Sequence, residues 1–572
     1  MKQTSALSTF LLVYTCLYFN ERQVHSLIIY DVGERFNDAC QSQIYCEGDL
    51  LHAVQLLKVF EDSKTFVDLP MKESSEKINK SFHQLIKETS MDIRNLHLLN
   101  GTKLNQTRNI VRDFVKKNFG SGKDLLKPAD LSDWRENPKF FETIQDNSYQ
   151  EWARNLNKIW KELARKMSED VKNRPDRHSL IYVDKPFVVS GGRFNETYYW
   201  DTYWVIEGLL LCDMHQTVRG IIENLLSMVE KYHFVPNGGR IYYLSRSQPP
   251  LLIPMVDEYL KFTGDREFAL RNLGTLEREF QYWMKYKSVK ISENGKNYTL
   301  SRYVTNSSGP RPESYKEDYK LATKLSSPQK KFELYNNLKA GAESGWDFSS
   351  RWFAFKNNTP SLELDDIVTS EIIPVDLNAF IQRNARILSK FFNFKNDSKK
   401  AGYYKQVADD YQDAIRTLMW NEEDGTWYDL DMKHATQRKQ FYLSNLTPLY
   451  TQSYDEARSD DYAKRSVEYL QNNGMSEYLG MPTSLSTSAR PQQWDFPNVW
   501  APLQSIVVEG LINTNNVQAV ELAKKLAFQF LKTTFHGYQN QTKMFEKGNG
   551  EGDGLRQSLR LSIYQSDQGP GV

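Results

Sequence analysis

TNNVQAVELAKKLAFQFLKTTF, residues 514–535, sets Ala519, Leu522, Ala523, Leu526 and Phe530 three and four positions apart. That spacing lines one face of an α-helix, and Asn516 or Thr514 can cap its first turn through a side-chain oxygen. The same period returns along the chain. Val407, Tyr411, Ile415 and Leu418 carry it over 405–419, and similar patterns occupy 47–60, 150–168, 202–231, 252–262, 265–285, 376–394, 455–472 and 496–512. Strand-like alternation is sparse, and the apolar run Ile241–Leu244 reads as a small hairpin piece. Turn formers separate the helical stretches, as in Pro236-Asn237-Gly238-Gly239 and Gly309-Pro310-Arg311-Pro312. No low-complexity linker divides the 572 residues, so the sequence predicts one large all-α domain. A circular stack of helix pairs buries one face of every such helix against its neighbours.

Charge is balanced, with 73 Lys and Arg against 72 Asp and Glu. Neither a nucleic-acid partner nor an anionic membrane surface is suggested by that balance. Tyr (32), Phe (30) and Trp (12) are abundant, which suits both a large core and a pocket lined by flat apolar faces. Lys2, the apolar run Ala6 to Phe19, and the small residues Val24 and Ser26 read as a signal peptide over 1–26. No later stretch is long and apolar enough to predict a membrane span. Cys40 and Cys46 then fall just after the cut and suit a small-loop disulfide, while Cys212 reads as a buried small hydrophobe. Sequons at Asn79, Asn100, Asn105, Asn297, Asn396 and Asn445 agree with a secreted, extracellular glycoprotein.

Four segments concentrate glycine, aromatic rings, arginine and acids. They are SGGRFNETYYWDTYW (190–204), PNGGRIYYLSRSQPP (236–250), AESGWDFSSRW (342–352) and RPQQWDFPNVWAP (490–502). In the first, Arg193 and Asp201 suit hydroxyl binding while Phe194 and Trp200 offer ring faces; a turn with a satisfied Arg–Asp pair is the simpler account. In the second, Asn237, Arg246 and Gln248 sit among turn formers. In the third, Trp346, Phe348 and Trp352 frame Asp347, and an apolar surround raises a carboxyl pKa as a general acid requires. Arg351 is the ion-pair partner that would instead make Asp347 structural. In the fourth, Asp495 either repeats the Trp–Asp theme or caps the next helix. HExxH, GxSxG, Walker and CxxC patterns are absent, and nine scattered histidines give no metal spacing, so the chemistry falls to carboxylates, with no metal and no cofactor.

Together these segments resemble the trehalase family, glycoside hydrolase family 37. GGRFNETYYWDTY (191–203) and QWDFPNVWAP (493–502) are similar to its two signatures; DSKTFVD (62–68), GPRPESYKEDY (309–319) and ESGWDFSSRW add support. The resemblance implies an (α/α)6 barrel, a toroid of helix pairs, acting on trehalose by an inverting mechanism. Asp347 would be the general acid and Glu546, in KMFEK, the general base. Arg193, Phe194, Trp200, Asp201, Asn237, Arg246, Gln248, Arg311, Glu313, Gly345 and Trp494 would line the sugar pocket. The expected division is an N-terminal helical extension over 27–150 packed on the barrel, a catalytic barrel over 151–547, and a tail over 548–572.

Two positions depart from the family pattern. Ser190 stands where a proline usually opens the first signature. After Lys547 the chain reads GNGEGDGLRQSLRLSIYQSDQGPGV in place of the usual aromatic-acid pair and closing helix. That difference leaves a second expectation open, a trehalase-like sugar-binding protein of weak or no activity.

Overall fold

Two kinds of helix build the molecule. Asp201–Leu211, Leu252–Thr263, Val375–Phe394 and Ala501–Asn513 bury residues on nearly every side. His215–Tyr232, Arg266–Tyr286, Ser398–Ala414, Ser459–Asn472 and Val517–Gln541 are amphipathic and keep one polar face outward. The first kind, joined by the short helix Thr447–Thr451, pack against one another in chain order and form an inner wall, with the amphipathic helices outside it. Tyr450 Oη donates to Tyr203 Oη at 2.8 Å, tying the fourth inner helix back to the first. Burial, with Glu509 of the last inner helix adding to it, pushes the Glu207 carboxyl on the first up to about 7. With the amphipathic helix Asn147–Leu163 and the helix Pro328–Glu343, buried from Leu334 onward, the alternation reaches twelve helices among the described residues, that of an (α/α)6 barrel. The structure, a computed structural model, describes residues 28–31, 40–356, 359–361, 363–487 and 492–550. The expected signal peptide and the tail from residue 551 lie outside the described residues.

Local chemistry explains most boundaries. Asn516 caps Val517–Gln541 by accepting from Ala519 N at 3.1 Å, and Asp265 caps Arg266–Tyr286 by accepting from Phe268 N at 3.0 Å. The pattern read over 202–231 is two helices, broken at Cys212–Met214 where Asp213 takes a left-handed backbone. The helical run read to 419 widens into a π turn at Ile415–Met419. Ile241–Leu244 is no hairpin: Ile241–Tyr243 forms a 3-10 turn, with Tyr243 N donating to Arg240 O at 3.0 Å and Leu244 N to Ile241 O at 3.1 Å.

An N-terminal layer lies on this barrel. Helices Asp49–Leu56, Ser63–Val67, Ser75–Thr89 and Gly101–Asn118 share a core of Leu50, Leu51, Phe66, Ile78, Phe82 and Val115. That core continues into Tyr198, Tyr242 and Tyr243 of the barrel loops. The helix Asn147–Leu163 runs across the boundary expected at 150. Cys40 and Cys46 are joined as a disulfide with Cα atoms 5.9 Å apart, and Cys212 is buried and free. Among the sequons, Asn100, Asn105, Asn297 and Asn396 are exposed. Asn445 is buried, its Nδ2 donating to Gln440 O and Tyr469 Oη, so the folded chain has no room for a glycan there.

A buried ionic knot ties three segments of the barrel together. Arg351, fully buried, donates from Nε and Nη2 to Asp429 at 2.8 and 2.9 Å and from Nη1 and Nη2 to Asp376 at 2.8 Å. The rings of Trp346 and Trp352 lie 4.7 and 4.5 Å from its guanidinium carbon. Asp429 also accepts from Val375 N at 2.8 Å, so the knot joins the 346–352 segment to the start of Val375–Phe394. Breaking a buried pair strands a charge, so Asp429→Ala is expected to lower unfolding free energy by about 3–5 kcal/mol. Denaturant titration followed by tryptophan fluorescence measures this, and a loss below about 1 kcal/mol contradicts the assignment.

Candidate active site

Asp347 stands just beyond the helix Pro328–Glu343, in the segment Gly345–Trp352 that the knot holds. Because Arg351 is committed to Asp376 and Asp429, it is not the partner that would neutralise Asp347. Gly345 is required here: its φ is +81°, and a Cβ would meet the Trp200 ring at 2.7 Å. Asp347 is half-buried, and loss of water pushes its carboxyl up to about 6 against the pull of Arg311 and Arg246, with Glu546 adding to the rise. Asp201, at the first turn of Asp201–Leu211, is also pushed to about 6 by burial, with Glu546 again contributing. Its Oδ1 accepts from Ser190 Oγ at 3.3 Å, so the serine in place of proline contacts a site carboxyl.

Glu546 is far along the chain but fixed by strand pairing. Lys547–Asn549 runs antiparallel to Asn498–Trp500, with Lys547 opposite Trp500 and Gly548 opposite Val499, and Gly550 N donates to Pro497 O at 2.8 Å. The carboxylate is thereby brought beside the WDFPNVW segment, within electrostatic range of Asp347 and Asp201.

Arginines face the acids, each anchored by one carboxylate. Arg311 donates from Nε and Nη2 to Asp318 at 2.9 and 2.7 Å. Arg246 donates from Nη2 to Glu313 Oε1 at 2.6 Å, while its Nε and Nη1 and the other Glu313 oxygen are buried with no hydrogen-bond partner. Burial works against the Glu313 carboxylate, but Arg246 and Arg311 outweigh it and hold its pKa low. Buried groups left unpaired in this way call for a polar ligand. Asn237 Oδ1 accepts from Arg246 Nη2 at 3.5 Å, joining the same wall. Arg193 lies at the rim, donating from Nε and Nη2 to Asp62 at 2.6 and 2.9 Å and to Glu313 O at 3.1 Å.

Aromatic rings form the other side. Trp494 stacks on Trp500 at 3.9 Å, lies 5.4 Å from Trp346 and 5.8 Å from Trp200, and its indole nitrogen has no partner. Two expected pocket residues are held by the scaffold. Gln248 Oε1 accepts from Trp200 N at 3.0 Å, and Phe194 packs edge-on against Tyr198 at 5.3 Å. Asp495 does not cap the next helix: it accepts from Ser349 Oγ, Ser350 N, Ser350 Oγ and Ser484 Oγ at 2.8–3.0 Å, and so locks the fourth segment onto the third.

Sequence reasoning missed Asp318 and Asp62, which orient Arg311 and Arg193. Both lie inside family-like segments, DSKTFVD and GPRPESYKEDY, so the motifs were visible but the pairing was not. Also missed was Glu343, which accepts from Ser247 N at 2.9 Å and pairs with Lys287 at 2.7 Å.

The Trehalase family profile matches residues 58–557. A trehalase of Pimpla hypochondriaca is 47% identical over 515 residues, covering 89% of this chain and 85% of that protein. The human trehalase is 41% identical over 509 residues, covering 89% and 84%. The neutral trehalase of Saccharomyces cerevisiae superposes with a TM-score of 0.51 at 24% identity, over 64% of this chain and 70% of that one, and shares the fold. The carboxyls, arginines and rings that the barrel gathers fall on the segments that mark this family, and the chain belongs to the trehalase family of glycoside hydrolases.

Proposed function

We propose that this protein hydrolyses the α,α-1,1 bond of trehalose to two glucose molecules with inversion. The observation that carries the reading is the desolvated carboxyl of Asp347, within electrostatic range of Glu546, Arg246 and Arg311, together with buried Arg246 and Glu313 atoms that have no hydrogen-bond partner. An inverting hydrolase needs an acid on one side of the scissile bond and a base on the other, about 6.5–9.5 Å apart, with a water between. Asp347 gives its proton to the bridging oxygen as the bond to the attacked anomeric carbon breaks. Glu546 takes a proton from the water whose oxygen forms the new bond to that carbon. The attacked ring leaves as β-glucose and the other as α-glucose.

The remaining residues hold the sugar. Arg246, Glu313, Arg311 and Asn237 suit hydroxyls, since fork-shaped donors and paired acceptors match vicinal oxygens. Trp494, Trp200 and Trp346 suit the apolar ring faces and exclude water, and Arg193 and Asp201 complete the rim. Gly345 gives the close approach, while Phe194 and Gln248 support the wall. The N-terminal extension belongs to the site through Asp62. We also place the protein outside the cell, a reading supported by the Cys40–Cys46 disulfide and by the apolar N-terminal sequence.

Asp347→Asn removes the proton and little volume, and is expected to lower kcat by about 10³-fold while trehalose still binds. Near-normal turnover contradicts the acid assignment. NMR of the anomeric protons in the first moments of reaction is expected to give α- and β-glucose in equal amounts, whereas an excess of either rules out single inversion. Asp347 must be protonated, so kcat/KM is expected to fall as pH rises through about 6. Because Asp201 is pushed to the same range, Asp201→Asn is the control: the alkaline limb persists if Asp347 carries it and vanishes if Asp201 does.

A further inference from the structure

One face of the helix Pro328–Glu343 grips both loops that carry the sugar-facing arginines. Asn336, Lys339 and Glu343 fall on that face by helical spacing. Asn336 Oδ1 accepts from Ser307 N at 2.9 Å and from Thr305 Oγ1 at 3.0 Å. Glu343 takes Ser247 N, next to Arg246 and Gln248. Between them Lys339, 3% exposed, donates to three successive carbonyls, Ser307 O at 3.1 Å, Ser308 O at 3.0 Å and Gly309 O at 2.7 Å. An ammonium has three hydrogens, and these carbonyls take all of them.

Three successive carbonyls turn inward only if the chain bends tightly, and Gly309 supplies a φ of +73°. Pro310 follows, then Arg311, whose own N donates to Asp318 Oδ2 at 3.0 Å. The bend is therefore handed rigidly to Arg311 and Glu313. Burying an ammonium against neutral carbonyls costs stability relative to an apolar side chain, so packing alone does not account for this lysine.

We propose that Lys339 is a positioning residue for the hydrolysis: it holds residues 307–309 on the helix that leads to Asp347, and so sets Arg311 and Glu313 at a fixed distance from the acid. The inference rests on the reading of the pocket as a trehalose site. It carries a pH signature. Burial lowers the Lys339 pKa to about 7, with Arg246 and Arg311 adding to the fall and Asp318 and Glu313 opposing it. As pH rises through that value the ammonium becomes an amine, with two hydrogens for three carbonyls, and the loop loosens.

The test compares wild type, Lys339→Met and Asn337→Ala well below their melting temperatures. Asn337 lies on the same helix but holds Ser370, away from the Arg311 loop. Lys339→Met is expected to raise KM for trehalose about tenfold or more with a smaller change in kcat, and Asn337→Ala to leave both unchanged. A lower melting temperature with unchanged KM and kcat shows a purely structural lysine and overturns the proposal. Should Lys339→Met fail to fold, calorimetric binding of trehalose to Asp347→Asn between pH 6 and 8.5 decides. The same titration on the variant that also carries Asp201→Asn removes both raised carboxyls; there affinity is expected to weaken about tenfold above pH 7, with pH-independent affinity overturning the proposal. A wild-type protein that leaves trehalose intact would overturn the pocket reading itself, a result distinct from a hydrolase indifferent to Lys339.

Discussion

Arg351 is the constraint around which the site is built. A guanidinium with no exposure keeps its charge, so the cost of taking it out of water must be offset by partners, and Asp376 and Asp429 meet its edges. Those aspartates come from different parts of the chain, so satisfying one cation fixes three segments at once. The tryptophans that cover the guanidinium belong to the segment that carries Asp347. A second polar lock, Asp495 with its serine donors, holds the other Trp–Asp segment against the first. Asp347 lies between the two locks, its own peptide oxygen accepting from Gln493 Nε2 and the next carbonyl, Phe348 O, from Trp494 N.

With that frame in place, neighbouring carboxylates take different electrostatic roles from their surroundings alone. Arg246 and Arg311 hold Glu313 low, and Asp318 accepts a two-pronged clamp from Arg311. Asp347 and Asp201 lack such a clamp, so loss of water dominates and raises both. Acids and bases of one residue type are thus sorted by what faces them, which is how a carboxyl is kept as a proton donor near neutral pH.

The N-terminal layer is part of this arrangement. Lys64, 2% exposed, pairs with Glu196 at 2.7 Å, and Arg240 lies 3.2 Å from Asp68 and 3.3 Å from Glu196. These buried charges fasten the extension to the loops carrying Arg193 and Arg246. Asp62 then reaches Arg193 directly. A buried charge network of this kind is directional, so it fixes how the layer sits where apolar packing alone would leave it free to slide.

Local sequence was sufficient for most of the barrel helices, but the apolar period did not announce Ser75–Thr89, Gly101–Asn118 or Pro328–Glu343. The apolar period of a helix is a property of near neighbours, so the face of Ala519, Leu522 and Leu526 was readable without any partner, and the cap was narrowed to Asn516 or Thr514, of which the structure uses Asn516. The motif segments likewise announced Asp347 and the arginines, because glycine turns and ring-flanked acids are written in consecutive residues. Partnership between distant residues was not written there. Whether Arg351 serves Asp347 or Asp376 and Asp429, whether Asp495 caps a helix or binds serines, and how Glu546 comes beside Trp500 are settled by strand pairing and burial across the barrel. Each answer depends on groups tens or hundreds of positions away, and desolvation, which raises Asp347 and Asp201, exists only once those groups have closed around them.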